Sequence, residues 1–270
     1  MILLRALFFE IGKKIFLKKK EKFLKEKIFF TETKWPHFNL IFDDLKNFSK
    51  KIKKNSTVVS LERNTLYGGI SLFAPFFDKH DFISIDCISP ILKKRGAYNK
   101  IKKQANVIKK KKNYQFDYRN IKLKNNLADL IIIPNLMHHI EDIDTLFRQV
   151  KAILKKGGKI YIFEPLVREL HQVPEDYFRI TPYGFKSILK KINFTNFKIK
   201  FDGGPFTAVG YCWDQAIQFL PKNLRVKKKN WLNKEFLKFI ELDKKYKTNK
   251  VRNNTIFPMS FSINAKLIKR

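Results

Sequence analysis

The stretch LIIIPNLMHHIEDIDTLFRQVKAILKKGGKIYIFEP, Leu130 to Pro165, changes its apolar period twice, and no other stretch limits the fold as tightly. Leu130 to Ile133 is an unbroken run of Leu and Ile, as expected of a strand buried on both faces. From Asp144 to Leu154 the apolar residues Leu146, Phe147, Val150, Ile153 and Leu154 return at helical spacing. Lysines followed by paired glycines, Lys155 to Lys159, are expected to cap that helix. KIYIFEP, Lys159 to Pro165, is the next strand. A buried strand, an amphipathic helix and a second buried strand in immediate succession form a parallel crossover, which requires helices covering a sheet.

The same alternation runs through most of the chain. Strands are expected at Thr57–Leu61, Phe82–Asp86, Tyr114–Phe116 and Lys198–Phe201, and in SFSINAKLI, Ser260–Ile268. The stretch from Gly69 to Phe77 reads as a short helix or a loop, and Lys93 to Lys112 as a solvated helix and loop. Thr181 is placed as an N-cap with Pro182 in the first helical turn. The fold class is therefore α/β, a Rossmann-like, mostly parallel sheet with helices on both faces. Before it, residues 1–50 form a basic amphipathic N-terminal segment that passes through a linker-like stretch at Trp35-Pro36. Residues 51–270 form the main domain, with a lysine- and aromatic-rich helical insertion at about 203–254 before the last strand.

The 57 basic and 24 acidic residues give a net charge of +33, a field that draws nucleic acid, anionic lipid or an acidic polymer. Lys, Ile, Asn and Phe are abundant together, as an AT-rich genome produces, so part of the charge reflects composition. Cys87 and Cys212 have no metal-ligand spacing and form no disulfide framework, which excludes redox chemistry and structural zinc. No metal is expected. No apolar run reaches the roughly 18 to 20 residues that span a bilayer, and the N-terminus shows no cleavage site. A cytoplasmic protein is expected, with peripheral contact at an inner membrane face as the further expectation.

Thr57 to Cys87 has the outline of a nucleotide-binding βαβ unit, yet the bend after its first strand reads Glu62-Arg63-Asn64-Thr65-Leu66-Tyr67 before the first glycine. The residues from Asn125 to Glu169 supply the match. Asp129, Asn135-Leu136, His138-His139, Glu141-Asp142, Leu146-Phe147, Leu154-Lys155, Gly157-Gly158 and Glu164-Pro165 closely resemble the second half of class I S-adenosylmethionine-dependent methyltransferases of the type 11 group. His171 to Phe194, with Pro174, Asp176, Tyr177, Arg179 and Thr181 in order, resembles the variant associated with sugar and cell-envelope polysaccharides. The resemblance implies a seven-stranded sheet whose last strand is antiparallel, and S-adenosylmethionine as cofactor.

Asp86, at the end of the second strand, is placed to accept hydrogen bonds from the vicinal ribose hydroxyls; its alternative is a loop acid capping Ile88 and Ser89. Asp117 belongs near the adenine amine or is a turn residue. In the altered bend either Ser60 or Glu62 stands at the place of the usual acid, with Glu62 a candidate for the cofactor site, and Gly68 and Gly69 stand for the close approach of backbone to ligand. Asn135 and His138 border the cofactor crevice past the fourth strand. His171 and His139 are the base candidates for an oxygen acceptor, although adjacent residues such as His138 and His139 are not expected both to face one crevice, and a structural role is open for each. The acceptor is expected to be a small molecule or sugar-like. Two other functions compete: a degenerate methyltransferase fold acting as a scaffold, and an RNA methyltransferase tracking a phosphate backbone.

Overall fold

A computed structural model describes residues 36–63, 71, 73–88 and 112–268. The expectations for helices within 1–30, for Gly68 and Gly69, and for most of Lys93–Lys112 lie outside the described residues. The helix α1 spans Pro36–Ser49, so Pro36 opens a helix where a linker was expected; a proline suits a first turn because its missing N–H has no intrahelical partner there.

Seven strands form one sheet: β1 Thr57–Glu62, β2 Asp81–Ile88, β3 Lys112–Asp117, β4 Ala128–Pro134, β5 Leu154–Pro165, β6 Phe194–Asp202 and β7 Ser260–Leu267, in the order β3-β2-β1-β4-β5-β7-β6. β1 pairs parallel with β2 and β4, β2 with β3, and β4 with β5. At the far edge, Met259 N donates to the Asp202 carbonyl and Ile268 N to that of Asn193, so β7 runs antiparallel to β6. The chain moves outward from β1 to β3 and then crosses back to β4 on the other side of β1. That reversal makes the carboxyl ends of β1 and β4 the topological switch point, where sheets of this kind bind their ligands.

Val58, Val59 and Leu61 of β1 and Leu130 to Ile133 of β4 are completely buried. Helix α2, Ile143–Ile153, turns Leu146, Phe147, Val150 and Ile153 inward and is capped by Asp142, whose Oδ1 accepts from Thr145 N at 2.9 Å. The expected glycine cap is not one. The helix ends at Ile153 and β5 begins at once with Leu154. Gly157, at φ +81°, lies within a register shift opposite Ala128 and Leu130, and a Cβ on Gly158 would sit 2.8 Å from the Lys155 carbonyl. The paired glycines therefore serve an irregular strand start, for which a left-handed residue is needed. Helix α3, Pro182–Lys191, starts as expected, with Thr181 Oγ1 accepting from Gly184 N at 3.1 Å. Among the described residues of the Gly69–Phe77 stretch, helical geometry is a 3-10 turn at Ala74–Phe77.

Two compact units emerge. One comprises residues 47–164, 170–200 and 262–268 and holds most of the sheet; the other comprises 36–46, 165–169 and 201–261. In the second, α4 (Pro205–Ala216) packs on α5 (Lys222–Lys245) over Ile217, Leu232 and Phe236. A Cβ on Gly210 would lie 2.7 Å from the Phe236 ring, so glycine permits this close crossing. The N-terminus of α4 is capped from α5: Asp243 accepts from Phe206 N at 3.2 Å and from Thr207 N at 2.8 Å.

Candidate active site

The candidate site residues among those described gather at the carboxyl edge because the parallel strands that carry them end on that side. Glu62 closes β1 and is in register with Asp86 on β2. Both are buried. Glu62 Oε1 accepts from the hydroxyls of Ser60 and Ser71, which ties β1 to the segment after the bend. Asp86 lies two residues inside β2, not in a loop, and Gln115 Nε2 approaches its Oδ2 at 3.4 Å. Burial, and then Asp86 beside it, push the Cys87 thiol far up, so no thiolate serves here. Asp117 ends β3 half-exposed and accepts from Arg119 N at 2.9 Å within the turn that follows.

Asn135 follows β4, so it and Asp86 stand on either side of the end of β1. Its φ is +55°, its N–H donates to the Phe163 carbonyl at 2.7 Å, and its Oδ1 is buried with no hydrogen-bond partner among the described residues. A buried acceptor left open at a topological switch point fits a ligand donor. Asn tolerates the left-handed conformation because its short side chain can bond locally.

Next comes the 3-10 turn Met137–His139. The rings of His138 and His139 both lie against His171, with centroids 5.1 and 4.8 Å from its own and 3.9 Å from each other. The loop carrying His171 meets both neighbours of the turn at once. Each ring is oriented through Nδ1: His138 on Glu164 at 2.6 Å, His171 on Asp176 at 2.9 Å, and His139 on the Glu175 carbonyl at 2.5 Å. Burial, with the positive fields of His138 and Arg63, pulls the His139 pKa far down, so this ring is neutral. Burial pushes the Glu164 carboxyl up to about 8, against the opposing pull of backbone N–H groups at Met137 and Leu136, which it accepts at 2.7 and 2.8 Å. For Asp176, burial acts upward but is outweighed by hydrogen bonds from Arg179 and from His171 N, and the net shift is strongly downward.

Sequence reasoning missed Arg63. It follows β1 directly, is buried, and forms an ion pair with Glu175 while its second nitrogen donates to Gln172 at 3.0 Å. Its target lies 112 residues away. A strand-end arginine beside an ordered Pro-x-Asp-Tyr-x-Arg motif was the available signal. The hollow lined by Lys54, Asn55 and Asp78–Asp81 sits at the amino ends of β1 and β2, opposite these groups.

Residues 79–162 match the family model described as a methyltransferase domain. That match begins after β1 and its altered bend. No curated protein sequence matches the chain significantly. Phosphoethanolamine N-methyltransferase 2 of Haemonchus contortus, in complex with S-adenosylhomocysteine and phosphomonomethylethanolamine, superposes with a TM-score of 0.52 at 15% identity, over 86% of this chain and 53% of that one. Its S-adenosylmethionine complex gives 0.51 over the same shares, again at 15% identity. A SAM-dependent methyltransferase of Archaeoglobus fulgidus is 15% identical over 84% of this chain and 93% of its own, with a TM-score of 0.48. Residues 79–162 thus resemble a methyltransferase domain, and the strand order around them is that of a Rossmann-like methyltransferase fold.

Proposed function

We propose that this methyltransferase acts on a hydroxyl of a small, sugar-like acceptor, and that the site formed by His138, His139 and His171 assists loss of the acceptor's proton. The observation that carries this reading is the convergence of three imidazoles, two of them backed by the carboxyl groups of Glu164 and Asp176. A hydroxyl is a weak nucleophile that must lose its proton as it reacts, whereas an unprotonated amine needs no such help. S-Adenosylmethionine supplies, when bound, an electrophilic methyl group on its sulfonium. Asp86 is the residue to hold the ribose, since a carboxylate accepts from both vicinal hydroxyls, and the open Oδ1 of Asn135 is a second acceptor for the cofactor. Positioning then supplies much of the rate.

Calorimetric titration with S-adenosylmethionine and its demethylated product tests the first half. Methyl transfer to hydroxyl-bearing sugars and to amines of the same skeleton tests the second. Normal cofactor binding with amine-only methylation overturns the hydroxyl reading. No binding of either compound leaves a binding protein built on the fold.

The basic segments are assigned to the acceptor's surroundings, an anionic membrane surface that carries a lipid-linked or acidic sugar. In the insertion, Phe219, Leu224, Trp231 and Leu237 are exposed among lysines, the pairing of apolar and cationic groups that suits a lipid interface better than a nucleic-acid duplex. No described helix is long and apolar enough to cross a membrane.

A further inference from the structure

We propose that His138, His139 and His171 are the ligands of one divalent transition-metal ion, with zinc the ion their chemistry suits best. One ring nitrogen of each residue lies within 4.8 Å of those of the other two, and the Nε2 atoms of His138 and His171 are 3.4 Å apart. A tetrahedral ion with bonds of about 2.0–2.1 Å to imidazole holds its ligand nitrogens about 3.3–3.4 Å from one another. The pair already has that spacing.

The surroundings make the same case. Ligating histidines almost always give their other ring nitrogen to a carboxylate, a backbone carbonyl or water, which fixes the tautomer and turns the lone pair toward the ion. Here His138 has Glu164, His171 has Asp176 and His139 has the Glu175 carbonyl. Those partners are themselves fixed. Glu164 accepts two backbone N–H groups, and Asp176 accepts both terminal nitrogens of Arg179, at 2.5 and 2.9 Å. An imidazole that donates Nδ1–H to a carboxylate presents a lone pair at Nε2. At 3.4 Å the two Nε2 atoms are close enough to share either a proton or a metal ion. The His138 side chain is 1% exposed and that of His171 13%, so bulk water has little access to the position between them.

The ligand set selects the ion. Three imidazoles without thiolate or an oxygen cage suit zinc, cobalt or nickel and disfavour magnesium and calcium. Three protein ligands leave a fourth position, the pattern of catalytic rather than structural zinc. Only the identity of that fourth ligand, the acceptor's oxygen, rests on the hydroxyl-methylation reading; metal binding itself does not.

The test uses the full-length chain, stripped with a chelator and titrated with Co2+ and then Zn2+. One Co2+ per chain, with the intense visible bands of a tetrahedral site that vanish on adding Zn2+, is expected. X-ray absorption of the zinc form should show imidazole nitrogens at about 2.0–2.1 Å. His171→Ala should weaken binding at least 100-fold, and Asp176→Asn about 10- to 100-fold through orientation of His171. Absence of saturable binding in the unmutated chain, or binding that His171→Ala leaves unchanged, overturns the proposal. S-Adenosylmethionine titration of the stripped protein separates the two readings: cofactor binding without any metal site sinks only the metal, and a metal site without cofactor binding sinks only methyl transfer.

Discussion

Replacing Arg63 by Met should cost about 3–5 kcal/mol of stability, the range for breaking a buried ion pair from one side. The Arg63 and Glu175 side chains are 5% and 2% exposed, so removing the guanidinium leaves a carboxylate with little access to water. At about 3 Å and an effective dielectric constant of about 20, the lost attraction is roughly 5.5 kcal/mol before desolvation is counted. Native stabilities are only about 5–15 kcal/mol, so the variant should be near unfolding. Arg63→Met/Glu175→Met should recover to within about 1–2 kcal/mol of wild type, since it removes both charges and fills the space with apolar atoms. It also deletes Glu175 Oε1, a buried oxygen without a partner among the described residues. The backbone carbonyl of residue 175 remains in the double variant, so the anchor of His139 is retained. Urea denaturation of the four proteins, completed as a double-mutant cycle, reads these numbers. A loss below about 1 kcal/mol for Arg63→Met, or a double variant as unstable as the single, would refute the argument that the pair matters because of what one partner leaves behind.

Asp86→Ala should weaken S-adenosylmethionine binding by roughly 1.5–3 kcal/mol, the range for hydrogen bonds to a charged group; unchanged affinity by calorimetry would remove Asp86 from the site. Because the pKa of Asp176 is depressed on folding, its contribution to stability is complete above its unfolded value, near 3.9, and fades as pH falls through and below it. Asp176→Asn should therefore flatten the acid limb of thermal stability below about pH 4, and an unaltered limb would contradict the assignment. Deleting residues 1–30 should weaken sedimentation with anionic vesicles while leaving cofactor affinity nearly intact. Equal sedimentation of both proteins would assign the segment no role at a membrane.

The sheet was legible because it depends on local pattern. The Leu130–Ile133 run, the helical spacing from Leu146 to Ile153 and the Thr181-Pro182 start each fix an element from neighbouring residues, and the structure has all three. The start of β5 was not legible. Lysines and paired glycines after a helix are a common cap, and only pairing with β4 shows Gly157 to be part of an irregular strand. Asp86 and Asn135 could be placed because parallel strands deliver their last residues to one edge whatever the loops do.

What the sequence by itself determined is therefore the set of elements, their parallel alternation and the edge where chemistry must occur. What only the tertiary structure decided is which side chains meet there. His138 and His171 are 33 residues apart, and Arg63 and Glu175 are 112 apart. Periodicity reports the face on which a residue lies over one or two turns of chain. It carries no information about a loop that arrives from another strand, so the three-histidine cluster and its buried ion pair come into being only when β1, β4 and β5 are laid side by side.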